Sequence, residues 1–491
     1  MDQSEIAGSR GLRLATIAVA LLAVALRIAA YNPWDQFHAD EFFQYLEQGH
    51  RLAEGYGALP WEWRAGMRNA LIPQFLAGPF AIGAAIAPAG MLAVQLARLS
   101  FAVLCLLALA GAWGIGAASS RRHALAALLI AAVWYDGVLF SVSVLSESAA
   151  TALIACGAAM LLVERRAAWQ LPLAGFLLGL GVLVRLQYAP FVAVLVPLSA
   201  GRDWRMWRVL ALGAVAALAL GVASDLANHQ TPMRWIFANF AMNLGEGRAA
   251  RFSTSGPFDY LNMLLAGLGP FAPVILGAAL FSGPRYRPLL AAALVTIIAH
   301  SLIGHKEYRF IWLPVFTILV LAAIASVDLL DHWLARREPG RTAGLGALLL
   351  LCLGWIGASL AALASTGGAA SYRSGGAYAL AAHDVAFRPQ ICGLAVPLQW
   401  HNHVISAYLR RDVPIYEVPE AVLAGKQLLP GAISLAANAM LGVSPPAPDY
   451  RVVRCHEMHG QRACLYLRPG TCDASAARQF ERQTYMNAND L

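Results

Sequence analysis

A succession of apolar stretches, each close to the length needed to cross a bilayer, constrains this chain more than anything else. A helix needs roughly 20 apolar residues to span the hydrocarbon layer. Runs near that length recur at 14–30, 92–117, 124–140, 147–163, 209–224, 258–281, 288–304, 311–327 and 343–364. The stretch 169–199 is interrupted at Arg185-Leu-Gln-Tyr-Ala-Pro190 and reads as two short spans sharing Arg185 at one end. The expected total is about eleven membrane-crossing helices. Composition agrees: 59% of the residues are hydrophobic and only 13% charged, against about 25% charged in a soluble domain. In lipid the backbone must satisfy its own hydrogen bonds, so the expected class is an all-α polytopic membrane protein. The first stretch follows Arg10 and Arg13 and ends at Tyr31-Asn32-Pro33-Trp34 without a small-residue cleavage site, so it reads as an uncleaved span.

The net charge of +8 fits the cytoplasmic Lys/Arg bias of membrane proteins. No compact basic stretch interleaved with aromatics points to nucleic acid. Arg121-Arg122, Arg165-Arg166, Arg202/Arg205/Arg208, Arg285/Arg287 and Arg336-Arg337/Arg341 fall at alternate turns of the chain. Placing them all in the cytoplasm puts the N-terminus there too. The opposite face then receives 31–91, Ser146-Glu147, Arg185, 225–257, 305–309 and a tail from about 366, which gathers the densest polar and aromatic clusters on one side. The expected division is a membrane region, 1–365, with 31–91 as an external loop carrying interfacial helices, and a small extracytoplasmic α/β domain, 366–491. The only lysines are Lys306 and Lys426. With heavy Ala and Gly usage, this points to a GC-rich bacterial genome, and so to a bacterial plasma membrane with the tail on its outer side.

In the tail, Ile391–Val396 and Val413–Val418 read as strands flanking a helix-like stretch at 401–411, and Tyr450–Cys455 and Ala463–Leu467 as a hairpin turning at His459-Gly460. Cys392, Cys455, Cys464 and Cys472 all lie in this segment, which suggests a disulfide-permissive compartment. The hairpin register sets Cys455 opposite Cys464, which would leave Cys392 and Cys472 as a second pair, though spacing leaves the connectivity open. Cys105, Cys156 and Cys352 read as packed apolar residues inside the spans.

Four places carry ionisable groups that a bilayer does not tolerate idly. Asp40 and Glu41, in Trp34-Asp-Gln-Phe-His38-Ala-Asp40-Glu41-Phe-Phe-Gln44, are adjacent carboxylates near the membrane surface: either a general base or a solvated acidic turn. Trp61-Glu62-Trp63, with Arg64, Arg68 and Asn69, suits a sugar, the indoles covering a pyranose face and the carboxylate taking hydroxyls; an interfacial aromatic belt is the alternative. His305-Lys306-Glu307-Tyr308-Arg309 is squeezed between two apolar runs, where Lys306 and Arg309, three apart, are expected to face one way and clamp a phosphate. Arg185 needs an anion, either a phosphate or Glu147. Arg248 and Arg251 are secondary candidates or solvated loop charges. His401, His403, His456 and His459 are scattered in the way that tail histidines without metal usually are. No P-loop, no GxGxxG after a strand and no GxSxG elbow is present.

These motifs together resemble the glycosyltransferase family 22 α-mannosyltransferases, whose patterns HPDE, TWEW followed by RS, and HKExRF are matched in order by His38–Glu41, Trp61–Trp63 with Arg68-Asn69, and His305–Phe310. The resemblance covers roughly 10–330. Ala39 stands for the family's Pro, Pro60 for its Thr and Asn69 for its Ser, and Phe258-Asp259-Tyr260 lacks a Trp pair. These departures bear on loop shape and acceptor contacts. The resemblance implies a GT-C fold and inverting transfer of mannose, or a related hexose, from a polyprenyl-phosphate sugar to a glycolipid or polysaccharide, with neither metal nor other cofactor. It implies Asp40, beside Glu41, as the base and Lys306, Arg309, His305 and Arg185 at the donor phosphate. Trp61, Glu62, Trp63 and Arg68 would lie at the acceptor or sugar. Two other readings are a protein O-mannosyltransferase-like enzyme, whose motif set lacks HKExRF, and a transporter, for which no internal repeat is found.

Overall fold

A computed structural model describes residues 3–489 apart from 165, 252, 338–343, 368–372, 374, 398–402, 420–421 and 423–428. The chain groups into two compact units, 1–31 with 102–368 and 32–101 with 369–491. By contacts, then, the first long loop groups with the tail.

The first unit is helical, as apolar sequence without turn residues dictates. Among the described residues, six helices are long and apolar enough to cross a membrane: Arg10–Ala30, Leu92–Ala117, Trp204–Ala227, Asp259–Leu280, Tyr308–Arg337 and Leu345–Thr366. The expected span at 124–140 is a pair, Arg121–Val133 and Tyr135–Val142, bent by 61° at Trp134, and would make a seventh. Ser146–Leu162, Gln170–Val184, Ala189–Ala200 and Arg287–Ser301 occur where spans are expected but are shorter.

Trp312–Arg337 is apolar on every side through Val327 and is buried there, which makes it the centre of the unit. Outer helices expose large apolar side chains instead, such as Leu14, Ile17 and Leu21 on the first and Leu212 and Val215 on Trp204–Ala227. That pattern suits lipid and not water. Gln170–Val184 and Trp204–Ala227 touch backbone to backbone: a Cβ at Gly175 would strike the Leu210 carbonyl, and one at Gly213 the Pro172 carbonyl. Small residues at such a seam are how helices associate without a hydrophobic driving force.

The second unit carries a five-stranded sheet in the tail: β1 Leu394–Pro397, β2 Ile415–Val418, β3 Ala439–Gly442, β4 Arg451–Met458 and β5 Gln461–Leu467, in spatial order β2-β1-β3-β5-β4. β1 runs parallel to β2 and β3, and β5 antiparallel to β3 and β4. Tyr416, Val418, Ile433, Met440, Tyr450 and Tyr466 belong to its core. The β4–β5 turn is His459-Gly460, with φ of 49° and 76°, the positive values a two-residue hairpin turn demands. Cys455 faces Cys464 in register and is bonded to it, and Cys392 is bonded to Cys472. The helix expected at 401–411 is limited to Ser406–Leu409, with 401 and 402 outside the described residues.

Glu54 ends the helix Glu47–Glu54 and meets Arg410 Nη1 at 2.6 Å and His50 Nδ1 at 3.3 Å. Burial disfavours its anion, but hydrogen bonds and charge from His50 and Arg410 outweigh burial and hold its pKa below the ordinary glutamate value. In the window between that lowered value and the ordinary one the unfolded chain binds more protons. Stability therefore rises with pH there and is lost as pH falls through the folded value. The melting temperature should drop between about pH 5 and about pH 3, and Glu54→Gln should shrink that drop. Scanning calorimetry at the two pH values checks both, and an equal drop in the variant would refute the assignment.

Candidate active site

Asn32-Pro33 ends the first helix, since a residue before proline is driven out of the helical region. The loop re-enters helix at Glu41–Leu46, one wide π turn that continues into Glu47–Glu54. π turns are rare and recur at functional positions. Asp40 stands at the start of that turn, yet its side chain makes no capping bond to it. The carboxylate, 19% exposed, instead faces Arg68 Nη2 at 3.8 Å and His38 Nδ1 at 3.9 Å. The Asp40 N–H donates to His38 Nδ1 at 3.1 Å. Arg68 is itself held by Glu62, with Nε and Nη2 both 2.5 Å from Oε2. Glu62, Arg68 and Asp40 thus form one line of alternating charge.

Glu41 turns the other way. Its carboxylate is fully buried and lies 3.1 Å from Arg98 Nη2, which is 3% exposed. Arg98 also donates to the Pro33 and Asp35 carbonyls at 3.2 Å each. The two adjacent carboxylates are therefore not equivalent, and the more exposed one is Asp40. The Trp pair divides likewise: Trp63 is buried in the short helix Trp61–Arg64, while Trp61 is half-buried.

The basic cluster lies in the first unit, between Arg287–Ser301 and Trp312–Arg337. Glu307 is its hub, with Oε1 2.9 Å from His305 Nε2 and Oε2 accepting from Arg309 Nε at 2.6 Å. Arg309 Nη1 reaches Glu147 Oε1 at 2.9 Å, and Arg185 Nη2 reaches the same oxygen at 3.1 Å. Glu147 is wholly buried. The two guanidinium carbons lie 5.0 and 4.9 Å from the Phe310 ring, within cation–π range. Arg185 takes its place because the chain extends there, φ −141° and ψ 92°, between the helices on either side.

Lys306 does not share that cluster. Its ammonium donates to the carbonyls of Ile303 at 2.6 Å and Ser255 at 3.1 Å and is buried. Helical spacing would set Lys306 and Arg309 on one side. The segment is extended at Glu307, φ −136° and ψ 143°, before the turn Tyr308–Ile311 begins. Lys306 instead pins the 253–256 loop, with help from Ser253 Oγ on His305 Nδ1 at 2.8 Å and the Ser255 N–H on the Gly304 carbonyl at 2.9 Å. Arg248 pairs with Glu246 at 2.9 Å.

Sequence reading missed Arg98 and Asp136, which are bonded to Glu41 and Tyr308 of the two motifs. Asp136 is buried at the bent pair and accepts from Tyr308 Oη at 2.8 Å, which braces the basic turn. Each is a charge inside an otherwise apolar stretch, and that was the available signal. Among the described residues no three His, Cys, Asp or Glu side chains gather as a metal site; His401 lies outside them.

The apolar exposed helices, the buried charge clusters and the tail sheet define a polytopic membrane protein of GT-C architecture. Its fold matches ArnT from Cupriavidus metallidurans bound to undecaprenyl phosphate, with a TM-score of 0.59 at 16% identity over 92% of this chain and 97% of that one. The apo form of that protein matches at 0.57 and 17%, over 96% and 99%. Residues 16–372 match the Alg9-like mannosyltransferase family, glycosyltransferase family 22, and the chain belongs to it. Similar relatives include GPI mannosyltransferase 3 of Yarrowia lipolytica, 30% identical over 63% of this chain and 62% of that one. GPI alpha-1,2-mannosyltransferase 3 of Danio rerio is 27% identical over 65% and 59%. The chain spans about three fifths of the length of these curated relatives.

Proposed function

We propose that the protein is an inverting mannosyltransferase that moves mannose, or a related hexose, from a polyprenyl-phosphate sugar to a hydroxyl of a glycolipid or polysaccharide. The observation that carries this reading is the state of the family's acidic motif: Glu41 is fully buried on Arg98, while Asp40, 19% exposed, faces Arg68 and His38. Asp40 takes the proton of the acceptor hydroxyl as its oxygen attacks the anomeric carbon. The bond from that carbon to the phosphate oxygen breaks, and the polyprenyl phosphate leaves with the electron pair. Arg185, Arg309 and His305 face the charge that develops on the departing phosphate, and Lys306 holds the loop beside them. Trp61 offers its indole to a sugar face, and Glu62 with Arg68 fixes the acceptor side; Trp63 supports Trp61 from within, and Glu41 supports Asp40. The relative crystallised with undecaprenyl phosphate supports a lipid carrier for this chain as well.

On the same reading the short helices bring the membrane crossings to about eleven, since tilt and local thinning accommodate short spans. Residues 1–365 are the membrane region and 366–491 an extracytoplasmic domain on the outer side of a bacterial plasma membrane. The two tail disulfides support that side.

The test is transfer in proteoliposomes. Polyprenyl-phosphate-mannose should serve as donor, with turnover unchanged by EDTA, and mass spectrometry should find the mannosylated glycolipid. Transfer from a nucleotide sugar alone, or only with a divalent cation, would refute the reading.

A further inference from the structure

We infer that the tail is a positioning element for the catalytic loop, with Gln36 and Gln483 as its positioning residues. The inference rests on the assignment of Asp40 as the base. The tail beyond residue 372 lies outside the family match, so the family's machinery does not account for it. It is nonetheless bonded to the loop on both sides of Asp40 and ahead of Trp61. Ahead of Asp40, the Gln36 amide pairs with the backbone of His403 as one strand pairs with another: Nε2 donates to the carbonyl and Oε1 accepts from the N–H, both at 2.9 Å, with Gln36 1% exposed. Just after the π turn, Glu47 accepts from the Ser406 N–H at 2.9 Å and its hydroxyl at 2.8 Å. Ahead of Trp61, the Gln483 amide repeats the first arrangement on Leu59, at 3.0 and 2.7 Å.

These ties matter because helix and sheet bonds fix only part of the loop. Residues 55–60 and 65–70 have no regular structure, and each loose residue adds backbone freedom. A base must sit within hydrogen-bond reach of its proton, and a misplacement of about 1 Å costs about 100-fold. The anchors on the tail side are well fixed. His403 and Ser406 lie between β1 and β2, and Gln483 rides on the helix Arg482–Ala488, whose Arg482 is bonded to Glu417 of β2. Two side-chain amides of no chemical reactivity thus set where the reacting carboxylate and its partner motif stand.

Gln36→Ala and Gln483→Ala, singly and together, test this in the full-length protein in proteoliposomes. The double variant should lose about 10- to 100-fold in kcat, while inhibition by free polyprenyl phosphate, which reads the donor side alone, keeps its wild-type constant. His459→Asn removes a more exposed tie, 2.6 Å from Asp35, and should give a smaller fall in kcat with the same unchanged constant. Wild-type kcat in the double variant overturns the inference, and so does a parallel loss of kcat and polyprenyl phosphate binding, the mark of general unfolding. Should Asp40→Asn be inactive while the glutamine variants are normal, only this inference falls. Should Asp40→Asn be active, the assignment of the base falls with it.

Discussion

Asp40→Asn should lower kcat by about 100- to 10,000-fold, the share that a placed general base contributes, and leave the melting temperature unchanged. The amide keeps the shape of the carboxylate and one oxygen facing Arg68 and His38, 3.8 and 3.9 Å away in the native protein, so neither neighbour is stranded. What it loses is the capacity to take a proton. On the proposed mechanism the phosphate departs without protonation, and the acceptor hydroxyl is the group that needs the base. KM for the lipid donor should therefore stay within about twofold, since an interaction made only in the transition state shows in kcat. Steady-state kinetics in proteoliposomes measure both constants. Wild-type turnover in the variant would remove Asp40 from the mechanism, and a raised donor KM at constant kcat would move it to substrate binding.

Much of this architecture was legible because lipid leaves few choices. An apolar run without turn residues has to be helix, and helices lie at every expected span. The short halves Gln170–Val184 and Ala189–Ala200 were legible as well, because Arg185 and its polar neighbours break the apolar run between them. The Cys455–Cys464 bridge followed from a hairpin whose turn residues are local. β3 was invisible: Ala439-Met-Leu-Gly442 is too short to alternate and has no β-branched residue, and it is a strand only because β1 and β5 flank it. At the site, residue types were readable and directions were not. Nothing local says which of Asp40 and Glu41 turns inward; Arg98, far along the chain, decides it. Likewise Lys306 and Arg309 seem paired on a helical spacing that the extended Glu307 removes.

Glu147→Ala should be the most damaging change in the first unit, because one buried oxygen there serves two guanidinium groups. Arg309 Nη1 and Arg185 Nη2 lie 2.9 and 3.1 Å from Glu147 Oε1, and all three side chains are buried. Removing the partner of a buried ion pair leaves an uncompensated charge and costs about 3–5 kcal/mol. Here two cations are left near one another beside Phe310, with Glu307 still paired to Arg309. Stability should fall by that amount, and kcat by at least about 100-fold, because the groups that meet the departing phosphate lose their fixed directions. Glu147→Gln keeps one oxygen and the hydrogen-bonding shape, so it should retain more stability than Ala. It still lacks the charge that balanced the pair, so polyprenyl phosphate, itself an anion, should bind the Gln variant more tightly and leave it more slowly. Thermal melts and inhibition by polyprenyl phosphate separate the two effects. If Ala melts like the wild type, Glu147 does not hold the cations; if the Gln variant binds the phosphate no better, Arg185 and Arg309 do not face it.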